Sequence, residues 1–363
     1  MRKIFIILTA AAMLAAAVIP AHALALSARA AIVMDTAGCV VYADGADMRL
    51  PMASTTKIMT ALVAIESGRL GETVTVPKEA EGVEGSSVYL KAGDSCTLEA
   101  LTWALMLESA NDAATAIAVT LGGSVEGFAA LMNEKAAALG LSDTHFTNPH
   151  GLANEAHYTT ARELALLAVH AMKNDTFRTI VSSKSHTVEI GGQMRSLHNH
   201  NKLLRLYDGA IGVKTGFTKA SGRCLVSAAV RDGVTLVAVT LNAPDDWNDH
   251  RALLDLGFET LEAVTLIEPG GHSCRIPCIG GDAADILVTN RDGITVTLPK
   301  NHGHISRTIE VPRYLWAPVE AGAQIGRIVF REGGRVIGEA ALYAEASASR
   351  VQYKKNIFDK IFN

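Results

Sequence analysis

The pattern of apolar and polar positions divides the chain into two textures. Through residue 262, apolar runs at helical spacing alternate with strand-like runs; from 263 to 345 only short strands remain, broken by Gly, Asp and Pro turns such as Glu268-Pro269-Gly270-Gly271. Met52 to Ile65 predicts a buried helix, with Ile58, Leu62 and Ile65 on one stripe, Ala61 and Ala64 beside it, and Gly68 as its stop. Leu98 to Leu107 and Ala113 to Leu121 predict two more, separated by the loop Glu108-Ser109-Ala110-Asn111-Asp112. Val125 to Leu139 follows, then a helix to about Lys173 opened by Thr160-Ala161-Arg162-Glu163, which reads as a capping box that accounts for Glu163. Asn148-Pro149-His150-Gly151 reads as a turn, and residues 180 to 204 as irregular with strand pieces.

Two hairpins are predicted. Ala30 to Asp35 pairs with Cys39 to Tyr42 across Thr36-Ala37-Gly38, and Cys224 to Val230 pairs with Val234 to Leu241 across Asp232-Gly233, the stronger turn signal. Arg251 to Phe258 returns as a helix covering the sheet. The fold class expected is therefore α+β: an antiparallel sheet with a helical cluster over residues 24–262, then a small all-β domain over 263–345.

Both ends carry a different signal. Arg2 and Lys3 precede an apolar stretch from Ile4 to Ile19, followed by Pro20 and Ala21-His22-Ala23. This predicts a secretory signal peptide over residues 1–23, cut after Ala23 or alternatively Ala25, and hence export; a retained anchor is the other reading. In the tail, residues 346–363, Tyr353, Ile357 and Ile361 recur every fourth residue, as do Phe358 and Phe362, among Arg350, Lys354, Lys355 and Lys360. That is a basic amphipathic helix, which either lies on a membrane surface or docks on the preceding domain.

Composition narrows the field without naming a chemistry. The 363 residues are 49% hydrophobic and 19% charged, enough for ample core, and the net charge of −4 gives no electrostatic case for nucleic acid. Export would permit disulfides, and five cysteines leave at least one unpaired; Cys274 and Cys278 are open both to bridging and to staying as thiols. The His198/His200 and His302/His304 pairs lack further ligands at suitable spacing, so they read as loop residues and no metal is expected. Nothing calls for a cofactor.

Chemistry is carried by residues that break local rules. Ser54 stands where a helix cap belongs, but a capping box would put Glu or Gln at the position of Lys57, where the positive end of the helix dipole disfavours a cation. An amine at that place on an apolar helix is pushed toward its neutral form, and a neutral amine one turn from a hydroxyl can take its proton. Ser109 and Asn111 leave one interhelical turn, where Asn111 or Asp112 also suits a helix cap and where the pair can relay a proton and bond a peptide. Lys214-Thr215-Gly216 lies on the strand before the Asp-Gly hairpin, at the expected open edge of the sheet. There Lys214 offers charge, Thr215 a hydroxyl for an anion, and Gly216 bare backbone beside which a substrate strand can lie.

Serine-x-x-lysine, serine-x-asparagine and lysine-threonine-glycine in that order are far more specific than any one of them. With Ala53 to Thr60, Glu108 to Ala113, Gly212 to Thr218, a trailing β domain and a basic tail, nearly the whole chain resembles the low-molecular-mass penicillin-binding proteins that act as D-alanyl-D-alanine carboxypeptidases. The resemblance implies a β-lactamase/D,D-peptidase-like catalytic domain that removes the terminal D-alanine of peptidoglycan stem peptides and binds β-lactam antibiotics covalently. It implies Ser54 as nucleophile, Lys57 as its base, Ser109 and Asn111 in proton return and peptide binding, Lys214 keeping the site electropositive, and Thr215 facing the terminal carboxylate. The backbone N–H groups of Ser54 and Phe217 would form the oxyanion hole. A D,D-endopeptidase on the same scaffold, a class A β-lactamase and a non-catalytic wall-binding module are the rivals. The segment Glu155-Ala156-His157-Tyr158-Thr159 does not match the deacylating glutamate motif of the β-lactamases, and the intact Ser54 and Lys57 argue against the binding module.

Overall fold

A computed structural model of the chain describes residues 24–351. The expected signal peptide and the basic tail from residue 352 onward lie outside them. Two compact units divide the described chain: one runs through Glu259 except for the hairpin tip Asp232–Val234, and the other takes that tip and continues from Thr260.

In order, the first unit holds β1 (Ala30–Asp35), β2 (Val40–Asp44), a 3-10 turn (Ala53–Thr56), α1 (Lys57–Glu66), β3 (Thr73–Thr75), β4 (Ser95–Thr97), α2 (Leu98–Leu107), α3 (Asn111–Gly122), α4 (Val125–Ala138), α5 (Ala161–Ala171) and α6 (Asp175–Ser182). A hairpin of β5 (Ser185–Ile190) and β6 (Gln193–His198) and the short α7 (Leu203–Leu206) lead to β7 (Ala210–Thr218), β8 (Gly222–Arg231), β9 (Val234–Leu241) and α8 (Asp246–Thr260). The main sheet has the order β2-β1-β9-β8-β7, and the pairings of β1 with β2 and β9 and of β7 with β8 are antiparallel. Asp232 (φ 48°) and Gly233 (φ 80°) take the left-handed conformations that a two-residue hairpin between twisted strands requires.

Alternation along the strands explains the layers. Ala30, Ile32, Met34, Val226, Ala228, Val237 and Val239 join the core formed with the helical cluster, whereas Ser227, Leu236 and Thr240 face α8. There the fully buried His250 lies between the Ser227 and Thr240 hydroxyls, at 2.5 and 3.0 Å, and burial pushes it down to about 3, so it stays neutral. A Cβ on Gly257 would come within 2.4 Å of Leu236, which is why α8 can lie so close to the sheet.

At the centre of the cluster, α1 is apolar nearly all round and buried from Lys57 through Leu62. The 3-10 turn before it contains Ser54, so the helix starts later than its apolar pattern suggests. The unexpected α6 had a visible signal, with Asn174 capping it and Phe177, Ile180 and Val181 on its buried face. Glu163 departs from the capping-box reading. Thr160 accepts the Glu163 N–H at 3.1 Å, but the Glu163 carboxylate reaches away to Asp143 N at 2.8 Å and the Thr144 hydroxyl, tying a loop instead of closing the box.

The second unit is all β: β10 (Leu261–Ile267), β11 (Ser273–Ile279), β12 (Asp285–Asn290), β13 (Ile294–Pro299), β14 (Ile305–Glu310), β15 (Leu315–Trp316), β16 (Gln324–Glu332) and β17 (Arg335–Ala344). Six of these form a sheet in the order β14-β16-β17-β12-β11-β15, around Ile276, Ile286, Val288, Ile328, Phe330 and Leu342. Cys274 and Cys278 stand four residues apart on β11, roughly 13 Å along one strand, too far to bridge.

Candidate active site

Among the described residues, four helices of this unit begin with a side-chain cap. Thr97, Ser124, Thr160 and Asn174 each accept a backbone N–H three residues on, at 3.0–3.1 Å. Ser54 does not cap anything: neither the 3-10 turn nor α1 has a side-chain cap. Its half-buried hydroxyl lies 2.9 Å from Lys57 Nζ.

The turn that presents Ser54 is strained and locked. Ala53 has φ 48°, a left-handed conformation costing a non-glycine residue roughly 1–3 kcal/mol. Its carbonyl accepts the Thr56 hydroxyl at 2.8 Å, and Thr55 bonds back to Met52 O at 2.6 Å. His157 Nδ1 accepts the Thr147 N–H at 3.0 Å, so Nε2 carries the ring proton and donates to the Thr56 hydroxyl at 2.7 Å. Burial pushes His157 down to about 4, which keeps this tautomer neutral. Met52, Ile58, Met59 and Leu62 are all buried around the turn, each contributing roughly 1.5–3 kcal/mol, so packing outweighs the strain.

Lys57 is fully buried and has three contacts on its amine: Ser54 Oγ, Asn111 Oδ1 at 2.6 Å and His150 O at 2.7 Å. Desolvation and then the nearby charge of Lys214 hold it well below the ordinary lysine range, while Asp112 acts weakly the other way. The last two contacts are to oxygens that only accept. A neutral amine therefore commits its two hydrogens to them and turns its lone pair to Ser54, whose hydroxyl then donates.

Asn111 opens α3 without capping it; Asp112 Oδ1 accepts the N–H of the next residue, Ala113, at 2.9 Å, but the N-cap position itself is Ala110, which has no side-chain cap. The Asn111 amide is oriented by its network, with Nδ2 donating to Glu84 O at 2.6 Å while Oδ1 accepts from Lys57. Asp112 instead latches the loop before α2, accepting from the Ser87 hydroxyl at 2.6 Å and Leu90 N at 2.9 Å. Between the helices Ser109 is buried with φ 59°, in the left-handed region like Ala53. The preceding Glu108 accepts the His198 N–H at 2.6 Å and lies 3.2 Å from His200 Nε2, which gives that histidine pair a positioning partner. His198 ends β6 instead of lying in a loop.

The third wall is β7, the edge strand. Lys214 stands opposite Val226 and Gly216 opposite Cys224, on the face toward the helices. Lys214 is buried, and desolvation brings it down to about 7. A Cβ on Gly216 would lie 3.0 Å from Ser54 N and 3.2 Å from Met52 O, so glycine lets the strand approach the Ser54 turn this closely. Thr215 is half-buried at the edge and the Phe217 ring is exposed. The structure thus brings Ser54, Lys57 and Asn111 into direct contact, with Gly216 against the same turn. Among the described residues no cluster of His, Cys, Asp and Glu is suited to a metal ion.

A model of the family described as D-alanyl-D-alanine carboxypeptidase matches residues 17–245, and one of the penicillin-binding protein 5 C-terminal domain matches residues 262–350. The chain belongs to the D-alanyl-D-alanine carboxypeptidase family. It is 34% identical to the D-alanyl-D-alanine carboxypeptidase DacC of Escherichia coli over 87% of this chain and 82% of that one, and 28% identical to DacF of Bacillus subtilis over 91% and 88%. The solved structure of penicillin binding protein 5 from Haemophilus influenzae covers 90% of this chain and 98% of its own, with a TM-score of 0.68 and 27% identity. The activity is accordingly that of a D-alanyl-D-alanine carboxypeptidase, a hydrolase of peptidoglycan metabolism.

Sequence reasoning treated one part of this carboxypeptidase site only as a turn. Residues 148–151 supply the His150 carbonyl to Lys57 and the Pro149 carbonyl to Thr60, at 2.6 Å. Gly151, at φ 87°, presses so close that a Cβ there would lie 1.8 Å from Ala53 O. The signal available was the glycine after Asn-Pro-His, but its partner lies about a hundred positions upstream and no local pattern points to it.

Proposed function

We propose that Ser54 attacks the carbonyl carbon between the two D-alanines of a peptidoglycan stem peptide, and that Lys57 is its base. The observation that carries this reading is the fully buried Lys57 amine, bound to two carbonyl-type oxygens and left with its lone pair toward Ser54 Oγ at 2.9 Å. As the Oγ–carbon bond forms, the Ser54 proton passes to Lys57 Nζ, and the carbonyl oxygen gains charge between the Ser54 and Phe217 backbone N–H groups. Collapse breaks the carbon–nitrogen bond, the proton returns by way of Ser109 to the departing D-alanine amine, and water later cleaves the Ser54 ester. Asn111 holds both Lys57 and the peptide. Lys214 and Thr215 receive the terminal carboxylate, while Gly216 gives the substrate strand room against β7.

β-Lactams acylate Ser54 by the same attack. Incubation with a penicillin adds one drug mass, and digestion places it on the Ser54 peptide; an adduct elsewhere, or none, overturns the assignment. The reading includes export, with the chain cut after Ala23, and reversible attachment of the basic tail to a membrane surface. Among the described residues no single helix is long and apolar enough to cross a membrane.

A further inference from the structure

A cavity of about 720 Å³ opens between the end of α5, α6 and the strands β7 to β9, away from the nucleophile. Ile211 forms part of its floor and stands five residues before Gly216 on β7, a separation of about 16 Å along the strand. None of the residues lining it belongs to the mechanism above, and its volume falls within the range of small-molecule sites, about 300–1,000 Å³. The opening is held in place by its neighbours. Beside Ile211, a Cβ on Gly212 would come within 2.8 Å of the Val181 side chain, and Asn199 Nδ2 donates to Val181 O at 3.1 Å, so α6 is pinned against β7.

The lining divides into an apolar floor and a cationic mouth. Val169 and Met172 of α5 and Ile211 continue the core surface into the cavity, and Val230, 37% exposed near the end of β8, extends it outward. Two cations, Lys173 and Arg178, stand around this surface, and no Asp or Glu lines the cavity. The two are not equivalent. Arg178 is already held, donating to the Asp175 carboxylate and to Met172 O at 3.1 Å, so its charge is matched. Lys173 is exposed, and its amine has no hydrogen-bond or ion-pair partner among the described residues. The mouth therefore offers one unmatched positive charge, which suits a monoanion better than a dianion. The Thr36 and Thr235 hydroxyls, likewise without partners among the described residues, add donors for oxygen. An apolar floor ending at one free ammonium and two hydroxyls fits a single hydrocarbon chain with a monoanionic end.

We propose that this cavity binds one aliphatic chain ending in a monoanion, a carboxylate or a phosphodiester, with the chain on Val169, Met172, Ile211 and Val230 and the anion at Lys173. The proposal goes beyond the reading of Ser54 and stands independently of it. Its test is calorimetric titration of the chain from Leu24 onward with octanoate, decanoate and decyltrimethylammonium, each below its micelle threshold and at low ionic strength. Decanoate should bind about tenfold tighter than octanoate, from the two added methylenes, and about fivefold tighter than the decyl cation, the range of an exposed ion pair. Lys173→Glu should reverse the order of the two decyl ligands. Val230→Trp, which fills the floor from an exposed position, should weaken decanoate at least tenfold. Thermal melting and penicillin labelling of Ser54 should be unchanged in both variants. Lauroyl lysophosphatidylglycerol separates the two sources of such a chain: binding that Val230→Trp removes assigns an anionic lysolipid, and binding of decanoate without it assigns a free fatty acid. No binding of decanoate by the unaltered protein, or the same affinity in both folded variants, overturns the site and leaves the chemistry at Ser54 untouched.

Discussion

Replacing Asn111 with aspartate changes one atom type at the centre of the site and reverses the electrostatics of the base. Lys57 Nζ lies 2.6 Å from Asn111 Oδ1, so the aspartate keeps an acceptor in place but adds a full charge. Coulomb's law at that distance with an effective dielectric of about 20 gives about 6 kcal/mol in favour of the ammonium. Desolvation of the new carboxylate opposes this, as does the Glu84 carbonyl, which loses its N–H donor and faces a like-charged oxygen instead. If only a third survives, about 2 kcal/mol, the Lys57 pKa rises by about 1.5 units. The base is then protonated further up the pH scale, and on the acid limb acylation at a fixed pH falls about thirtyfold. The assay is the rate of labelling by a fluorescent penicillin from pH 5 to 10, with thermal melting to confirm folding. A limb displaced upward by one unit or more, with recovery at high pH, is expected. A uniform loss at all pH with the limb unmoved would mean that Asn111 only holds substrate, and the neutral-base argument would fail.

Three further changes probe the surrounding parts. Lys57→Arg keeps a cation that cannot deprotonate, so acylation should drop by about three orders of magnitude or more in a folded protein; near-normal labelling would remove Lys57 from the role of base. Converting the free carboxylate of a pentapeptide substrate to an amide should cost heavily in kcat/KM, and Thr215→Val should erase most of the difference. Equal cleavage of acid and amide by the unaltered enzyme would favour an endopeptidase. Deleting residues from Arg350 onward should abolish flotation with anionic vesicles at low salt and leave turnover of soluble substrate unchanged; retained flotation would refute the membrane reading of the tail.

The parts of this fold that the sequence made legible are those whose causes are local. The Asp232-Gly233 hairpin follows from two left-handed residues between apolar strands, and the start of α5 from the Thr160 hydroxyl. Lys57 stood out because it violated a local rule, and a cation at a helix start needs a tertiary reason. What escaped was set by distance along the chain. No local pattern marks His157, whose ring lies 2.7 Å from the Thr56 hydroxyl about a hundred residues upstream, and Glu163 reads as half a capping box until its carboxylate is seen on Asp143 N. The Asn111 side chain suited a cap by composition, yet a cap and a site ligand differ only in where the amide points.

Function and stability oppose each other at the two lysines, and the sign of that opposition follows from their pKa values. Burial holds Lys214 at about 7 and Lys57 well below its ordinary value, whereas both return to about 10.5 when the chain unfolds. Between the folded and unfolded values the unfolded chain binds more protons, so each lysine makes folding more favourable as pH rises through that window and less favourable as pH falls. Below the unfolded value the fold therefore carries a cost for burying these amines, on top of the strain at Ala53 and Ser109. The buried shell of Met52, Ile58, Met59 and Leu62 offsets that cost. Lys57 is lowered first by desolvation and then by the charge of Lys214, whereas Lys214 is lowered by desolvation, so the second amine is part of what pushes the first toward its neutral form. On the proposed mechanism, that coupling favours a proton acceptor beside Ser54 next to a second amine that keeps the site electropositive.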